Sequence, residues 1–335
     1  MKVLRLHSPG DVRLHEEPIP VPSEGEVLLR ISAVGLCGSD LHWLSEGAIG
    51  DARLVKPLVL GHEFAGVIEN GELRGQCVAV EPSVGCGRCE FCLEGNPNLC
   101  LNQRFAGHDR EDGALREYMA WPAHALFPLP DSFSGIDGVM LEPLGVAIHA
   151  VDLGHLRPGM TVGVFGCGPI GLLVLQVARI SGAATIVATD RLPHRLEAAA
   201  ALGAAGVFPA EGGREGEEIV KFTGGRGVDV AFEASDDNGA VEAAVAAAKP
   251  GARIVLIGIP AGNRTSFTAS TARRKGLTFV MVRRMKLTYP RAIHLVKSGL
   301  VDVRAVVSHR FPMSEFEQAI LVARRREGLK VIIEP

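Results

Sequence analysis

The chain lacks a strong charge of either sign. Thirty-five Lys and Arg against 38 Asp and Glu in 335 residues leave a net charge of −3, with a pI near 6.4. Binding nucleic acid by charge needs a basic face or stripe, so no nucleic-acid partner is expected. The short runs Arg273-Arg274-Lys275 and Arg324-Arg325-Arg326 read as solvated faces. There is also no apolar run near the ~20 residues that span a bilayer. Gly171 to Ile180 is apolar, but it is short and carries Arg179. The N-terminus has no charged-then-apolar leader pattern. A cytoplasmic protein without a disulfide framework and without a membrane partner is therefore expected. Internal repeats and low-complexity linkers are lacking as well.

Cysteine is scarce and unevenly spread. Of seven, Cys37, Cys77 and Cys167 stand alone, whereas Cys86, Cys89, Cys92 and Cys100 fall in GCGRCEFCLEGNPNLC with two, two and seven residues between them. Thiols crowded in a reduced chain suit a tetrahedral zinc, with Zn–S near ~2.3 Å. Four sulfurs fill that coordination sphere and leave no place for substrate, so the site is expected to be structural. The plainer alternative is a disulfide pair or a redox CxxC.

What is abundant is apolar surface and glycine: 47% hydrophobic residues and 40 Gly. That length and composition suit two domains of packed α/β structure. Residues 1 to about 145 read as short strands punctuated by Pro and Gly, among them 26–36, 57–69 and 76–82. From Thr161 the rhythm changes to strands at 161–166, 185–190, 228–234 and 253–259. These alternate with helices at 169–182, 192–203, 214–223 and 239–248. Repeated βα units imply a doubly wound parallel sheet. From about residue 284 two further helices (289–299 and 314–326) and a last strand, 330–335, follow. That strand is free to pair with either domain.

GCGPIG places Gly166, Gly168 and Gly171 between the strand at 161–165 and the next helix. A lone GxGxxG is weak evidence, but this position is the one the mechanism needs. The first glycine permits the tight turn, the second lets backbone approach a pyrophosphate, and the third lets helix and strand pack closely. Asp190 ends the following strand, 19 residues after Gly171. A carboxylate there binds the adenosine ribose diol and repels a 2′-phosphate, favouring NAD over NADP. Arg191 and Arg195 soften that preference. The plainer reading is a doubly wound domain without a dinucleotide, with Cys167 a small turn residue in either case.

Cys37 in GLCGSDLH, His62 and Glu63 in LGHEFAG, and Glu142 in MLEPLG are each bland alone. A single Cys or His is usually core, and a Glu usually surface. Together, beside a dinucleotide fold and a four-cysteine loop, they offer one thiolate, one imidazole and carboxylates. A catalytic zinc keeps three protein ligands and an open position.

The motifs GLCGSDLHW, GHEFAG, the cysteine loop, DGALREY, LEPLGVAIHA, GCGPIG, ATD and YPRAI, in this order over nearly the whole length, resemble those of the zinc-dependent medium-chain dehydrogenases/reductases. The closest branch is that of the polyol (sorbitol, xylitol) dehydrogenases. The resemblance implies a GroES-like β-rich catalytic domain at 1–147 carrying the loop 86–100. It further implies a Rossmann domain at 148–283 and a segment 284–335 that completes the catalytic domain. It implies NAD, two zinc ions per chain and a homotetramer. The catalytic zinc would be held by Cys37, His62 and a carboxylate from Glu63 or Glu142. Ser39 and His42 match the proton-relay positions, and Trp43, Phe105 and Arg284 the substrate positions. Gly166, Gly168, Pro169, Ile170, Gly171, Asp190, Arg195, Ile257, Gly258, Ile259, Val282, Arg283 and Arg284 would line the cofactor. The implied reaction is hydride transfer from a secondary alcohol, most simply a polyol, to NAD, with zinc as Lewis acid.

Two positions depart from the polyol pattern. Met285 stands where a tyrosine commonly follows the arginine matching Arg284, and Trp43 where a tyrosine is frequent. Fewer hydroxyl contacts discriminate polyols less sharply, so an amino alcohol of the threonine type or a simple secondary alcohol is the alternative substrate. An NAD-binding structural or sensor protein is the alternative outside enzymes; relatives of that kind lack the Cys37, His62 and Glu142 set.

Overall fold

The computed structural model describes residues 1–108 and 111–335. Its contacts divide the chain into two units. One comprises Met1–Glu142, Tyr289–Lys297 and Val303–Pro335; the other comprises Pro143–Thr288 and Ser298–Asp302. No described helix is long and apolar enough to cross a membrane.

Among the described residues, the first unit is built on a seven-stranded sheet. Its order is Leu126–Pro128, Cys77–Val80, Glu63–Ile68, Glu26–Gly35, Lys330–Glu334 and Val307–Pro312, with Tyr118–Pro122 also paired to Glu26–Gly35. The period of two in Glu26–Gly35 buries Leu29, Ile31 and Ala33 and exposes Arg30 between them. Leu29 and Ile31 join Leu4, Trp43, Phe64, Met119, Trp121 and Ile333 in one core. The last strand thus pairs within this unit, parallel to Val307–Pro312 and antiparallel to Glu26–Gly35. Gly35 sits between Glu63 and Ile332 in the ladder. A Cβ there would collide with the Glu63 carboxylate, so the glycine makes room for that side chain.

In the second unit the sheet is parallel throughout, in the order Gly206–Pro209, Thr185–Asp190, Thr161–Phe165, Val228–Glu233, Ala248–Leu256 and Thr278–Met281. In chain order this is 3-2-1-4-5-6, the doubly wound arrangement of dinucleotide-binding sheets. The direction of winding reverses between Thr161–Phe165 and Val228–Glu233, and the glycine turn lies at that reversal. Val228–Glu233 is buried along its whole length, as a strand covered on both faces must be.

One long helix, Gly135–Gly154, departs from the strand-rich reading of residues 1 to 145. Pro143 in its interior and Gly135, Gly138 and Gly145 argue against a helix on propensity. Packing overrides that preference. A Cβ on Gly138 would lie 2.7 Å from the Cβ of Ala65, and one on Gly145 would lie 2.6 Å from Thr288 Oγ1 and 2.7 Å from Met285 Sδ. The residues that weaken the helix locally are those that let its two halves lie close on their respective units. The contact boundary between Glu142 and Pro143 falls inside this helix.

Candidate active site

The thiolate, imidazole and carboxylate expected to converge do so in the first unit. One ligand atom each from Cys37, His62 and Glu63 lie within 4.8 Å of one another. Cys37 precedes the helix Gly38–Glu46 as its N-cap, His62 lies just before the strand Glu63–Ile68, and Glu63 opens it. Glu142 is buried in the long helix but is not part of this cluster.

Asp40, which sequence reasoning passed over, organises the site. Fully buried, it accepts hydrogen bonds from Cys37 N at 2.9 Å and Gly61 N at 3.2 Å, and its Oδ1 lies 3.5 Å from His62 Nδ1. One carboxylate therefore fixes both ligand-bearing segments. It also leaves His62 Nε2 for a metal, the carboxylate–histidine arrangement that sets ring orientation in metal sites. Burial works against the imidazolium, but the Asp40 charge outweighs it and holds His62 raised well above its usual value. The available signal was an acid three residues after Cys37 at the start of a helix, the spacing of a capping box.

Lys330 is the second residue that the sequence did not reveal. Its Nζ donates to both Glu63 oxygens at 2.7 and 2.6 Å and to Leu36 O at 3.1 Å, and only 3% of the residue is exposed. Burial opposes the ammonium, but the Glu63 charge prevails and the Lys330 pKa is raised. A Zn²⁺ here would balance the site, because two positive charges plus Lys330 offset Cys37 thiolate, Glu63 and Asp40. The donor set fits zinc in kind and in spacing.

The remaining predicted residues of this unit lie around the cluster. Ser39 Oγ is 3.3 Å from His62 Nε2. His42 pairs through Nδ1 with Glu46 at 2.9 Å on the same helix. Phe105 tilts against His62 with ring centroids 5.4 Å apart. Trp43, 1% exposed, meets His108 edge-on.

Cys86, Cys89, Cys92 and Cys100 form a separate cluster, all reduced. Cys89 and Cys100 Sγ are 3.7 Å apart, far beyond the ~2.05 Å of a disulfide. Two sulfurs on a tetrahedral zinc at ~2.3 Å are separated by about 3.8 Å. Backbone N–H groups of Arg88 and Cys89 bring the Cys86 thiol down to about 6, and burial pushes Cys92 up to about 11. The arrangement fits a zinc and excludes a disulfide in this structure.

In the second unit Gly166 has φ +98° and lies against Ala234 O, which would be 2.9 Å from an added Cβ. A Cβ on Gly171 would collide with Gly166 O. Gly168 caps the helix Pro169–Ile180, with Pro169 and Ile170 in its first turn. Asp190 is pinned by Cys167 N at 2.7 Å and Leu192 N at 2.9 Å, and Arg195 Nη1 stands 3.9 Å away. Burial holds the Cys167 thiol strongly raised, which suits an inert turn residue. The turn 257–259 is drawn to the same sheet end: Ile257 N and Gly258 N both donate to Glu233 O. Arg284 adopts φ +56°, in the segment that also contains Val282 and Arg283. Met285 is buried against Gly145.

Glu233 itself carries a pH dependence. Its Oε1 accepts from Ser235 N at 2.7 Å and Ser235 Oγ at 2.8 Å, and burial pushes its carboxyl up to about 7 from 4.5. Between those values the native state binds more protons than the unfolded chain, so stability falls as pH rises through that window. The loss amounts to at most about 3 kcal/mol. Glu233→Gln is expected to match the wild-type thermal midpoint at pH 5 and exceed it at pH 8. Equal midpoints at both pH values would show that the carboxyl titrates normally.

Residues 23–131 match the alcohol dehydrogenase GroES-like domain family and residues 169–298 the zinc-binding dehydrogenase family. The sorbitol dehydrogenase of Bacillus subtilis is 36% identical over 343 residues, covering 100% of this chain and 97% of that protein. The probable D-xylulose reductase A of Arthroderma otae is 36% identical, covering 96% and 94%. Among solved structures, a dehydrogenase of Escherichia coli CFT073 complexed with NADH superposes with TM-score 0.91 at 30% identity, covering 100% of this chain and 99% of that one. With the GroES-like unit, the doubly wound sheet and the two clusters of metal-ligating side chains already described, these matches show that the chain belongs to the zinc-dependent medium-chain dehydrogenases/reductases, in their polyol dehydrogenase branch.

Proposed function

We propose that the chain oxidises a secondary alcohol, foremost a polyol, to the ketone by NAD-dependent, zinc-dependent hydride transfer. The observation that carries this reading is the convergence of Cys37, His62 and Glu63 within 4.8 Å, in a chain whose relatives include a sorbitol dehydrogenase and a xylulose reductase. When bound, zinc supplies a Lewis acid that makes a nearby hydroxyl more acidic, and NAD supplies the hydride-accepting carbon.

The protein's residues supply the rest. Cys37, His62 and Glu63 hold the catalytic zinc, and Glu142 is a buried carboxylate in reserve on the long helix. Asp40 and Lys330 keep the ligands oriented and the charge balanced. Ser39 takes the substrate's hydroxyl proton. His42, an imidazole that can accept a proton on one nitrogen and release one from the other, passes it outward, with Glu46 holding its ring. Phe105, tilted against His62, is the substrate-facing residue of the first unit in this reading; Trp43, packed in the core at 1% exposure, offers the substrate no surface. Gly166, Gly168 and the first turn of Pro169–Ile180 seat the pyrophosphate. Asp190 takes the ribose diol, and 257–259 with 282–284 line the remainder of the cofactor. The four-cysteine loop holds a second, structural zinc, giving two per chain. In this reading residues 1–147 with 284–335 form the catalytic domain and 148–283 the NAD domain, while 143–147, 284–288 and 298–302 make their contacts within the second unit. The reading extends to a homotetramer in solution, which rests on the likeness to the polyol dehydrogenases alone.

The test is NAD reduction across polyols, sugars, threonine and short secondary alcohols, together with zinc counting. Turnover fastest on polyols with two zincs per chain is expected. Fastest turnover on threonine or 2,3-diols moves the substrate class. One zinc and no NAD reduction with any alcohol overturns the reading.

A further inference from the structure

We infer that Asp237 sets the discrimination between NAD and NADP by holding Arg191 out of reach of a 2′-phosphate. The inference rests on the NAD site proposed above. Arg191 is the first residue after the strand Thr185–Asp190, beside the carboxylate that takes the ribose diol. Asp237 follows the strand Val228–Glu233 by four residues. These two strands flank Thr161–Phe165, whose end carries the glycine turn. The ion pair between Arg191 and Asp237 therefore spans the reversal point of the sheet, where a dinucleotide lies.

Four charges meet at this edge. Asp190 is pinned by two backbone N–H groups, with Arg195 beside it. Arg195 also reaches over the turn, since a Cβ on Gly168 would lie 3.5 Å from its Nη1. Arg191, with 66% of its side chain exposed, is the cation with room to swing onto a phosphate. An arginine so placed is what accommodates a 2′-phosphate. Here it is engaged. Asp237 is in turn fixed from both sides, its Oδ1 accepting from Gly239 N at 2.8 Å and its N donating to Ser235 Oγ at 3.1 Å. The two carboxylates cancel the two guanidiniums, and Asp236 and Glu233 lie beside them, so the edge offers no net positive charge to a 2′-phosphate. To recruit Arg191, NADP must break the pair and leave Asp237 with no cation, only its backbone hydrogen bond from Gly239. NAD needs no such change.

The residue can be tested without disturbing its helix, because asparagine is as good an N-cap as aspartate. NADH and NADPH affinities are measured by fluorescence titration on the wild type, Asp237→Asn and Asp237→Asn/Arg191→Ala, at low and moderate salt. The proposal expects Asp237→Asn to bind NADPH roughly fivefold more tightly, the scale of an exposed ion pair released. NADH should change by less than about twofold, and the double variant should lose the gain. An unchanged NADPH-to-NADH ratio in Asp237→Asn overturns the proposal, as does a gain that survives loss of Arg191. A wild type that binds NADH normally while Asp237→Asn shows no change isolates the failure to this proposal. A wild type that binds neither nucleotide fails the NAD reading itself, and this inference with it.

Discussion

Cys37→Ala is expected to lower turnover about 10³-fold or more while leaving NADH affinity within about twofold. The first figure follows from losing a Lewis acid worth several kcal/mol of transition-state stabilisation, each 1.36 kcal/mol being a factor of ten. The second follows from the partition of the chain. Cys37 belongs to the first unit, whereas the glycine turn, Asp190 and the 257–259 turn belong to the second. The zinc count should fall by one per chain, because two remaining donors hold the ion far less well than three. Cys89→Ser should also remove one zinc, but from the loop whose sulfurs leave no open position. Its effect should appear in stability first and in turnover only as the protein unfolds. A Cys37→Ala protein with wild-type turnover would disprove the catalytic-metal assignment.

Lys330→Met should destabilise the protein by about 3–5 kcal/mol, the usual cost of leaving one partner of a buried ion pair alone. The pair is buried on both sides, with Lys330 Nζ 2.6 Å from Glu63 Oε2 and side-chain exposures of 3% and 1%. Zinc enters this prediction as well. A cation among Cys37, His62 and Glu63 would itself offset the stranded carboxylate, so the loss should be greater in chelator-treated protein than in zinc-loaded protein. Lys330→Met/Glu63→Gln removes the unpaired charge and should recover much of the stability, while weakening zinc binding. Denaturation of the wild type, Lys330→Met, Glu63→Gln and the double variant, with and without chelator, forms a double-mutant cycle. Equal losses with and without zinc would separate Glu63 from the metal.

The features legible in the sequence are those whose chemistry lies within a short stretch of chain. The four cysteines span Cys86 to Cys100, and the glycine turn with Asp190 spans little more than one βα unit. Spacing alone carried their meaning, since a loop of 15 residues or a strand–turn–helix has few ways to fold. The parallel sheet was legible for the same reason, as each βα repeat reports its own period. Cys37, His62 and Glu63 were nameable only through the pattern of a family, because no local spacing joins residue 37 to residue 62.

Tertiary structure alone decided three matters. It placed Lys330, from the last strand, on Glu63 across Gly35, a contact 267 residues apart in sequence. It used Asp40, outwardly a helix-start residue, to tie the Cys37 and His62 segments together. It also made a continuous helix of Gly135–Gly154 despite Pro143 and the glycines. In each case a buried partner outweighs what the neighbouring residues prefer. A charge taken out of water must find its counter-charge wherever the chain brings one. A helix built from poor helix formers persists where its gaps let the surrounding core close against it. Local propensity is worth tenths of a kcal/mol for most residues, about 1 for a helix glycine and about 3 for a proline, whereas losing buried packing or one partner of a buried ion pair costs several; the sequence by itself therefore determined the local motifs, and the packed fold decided the partners.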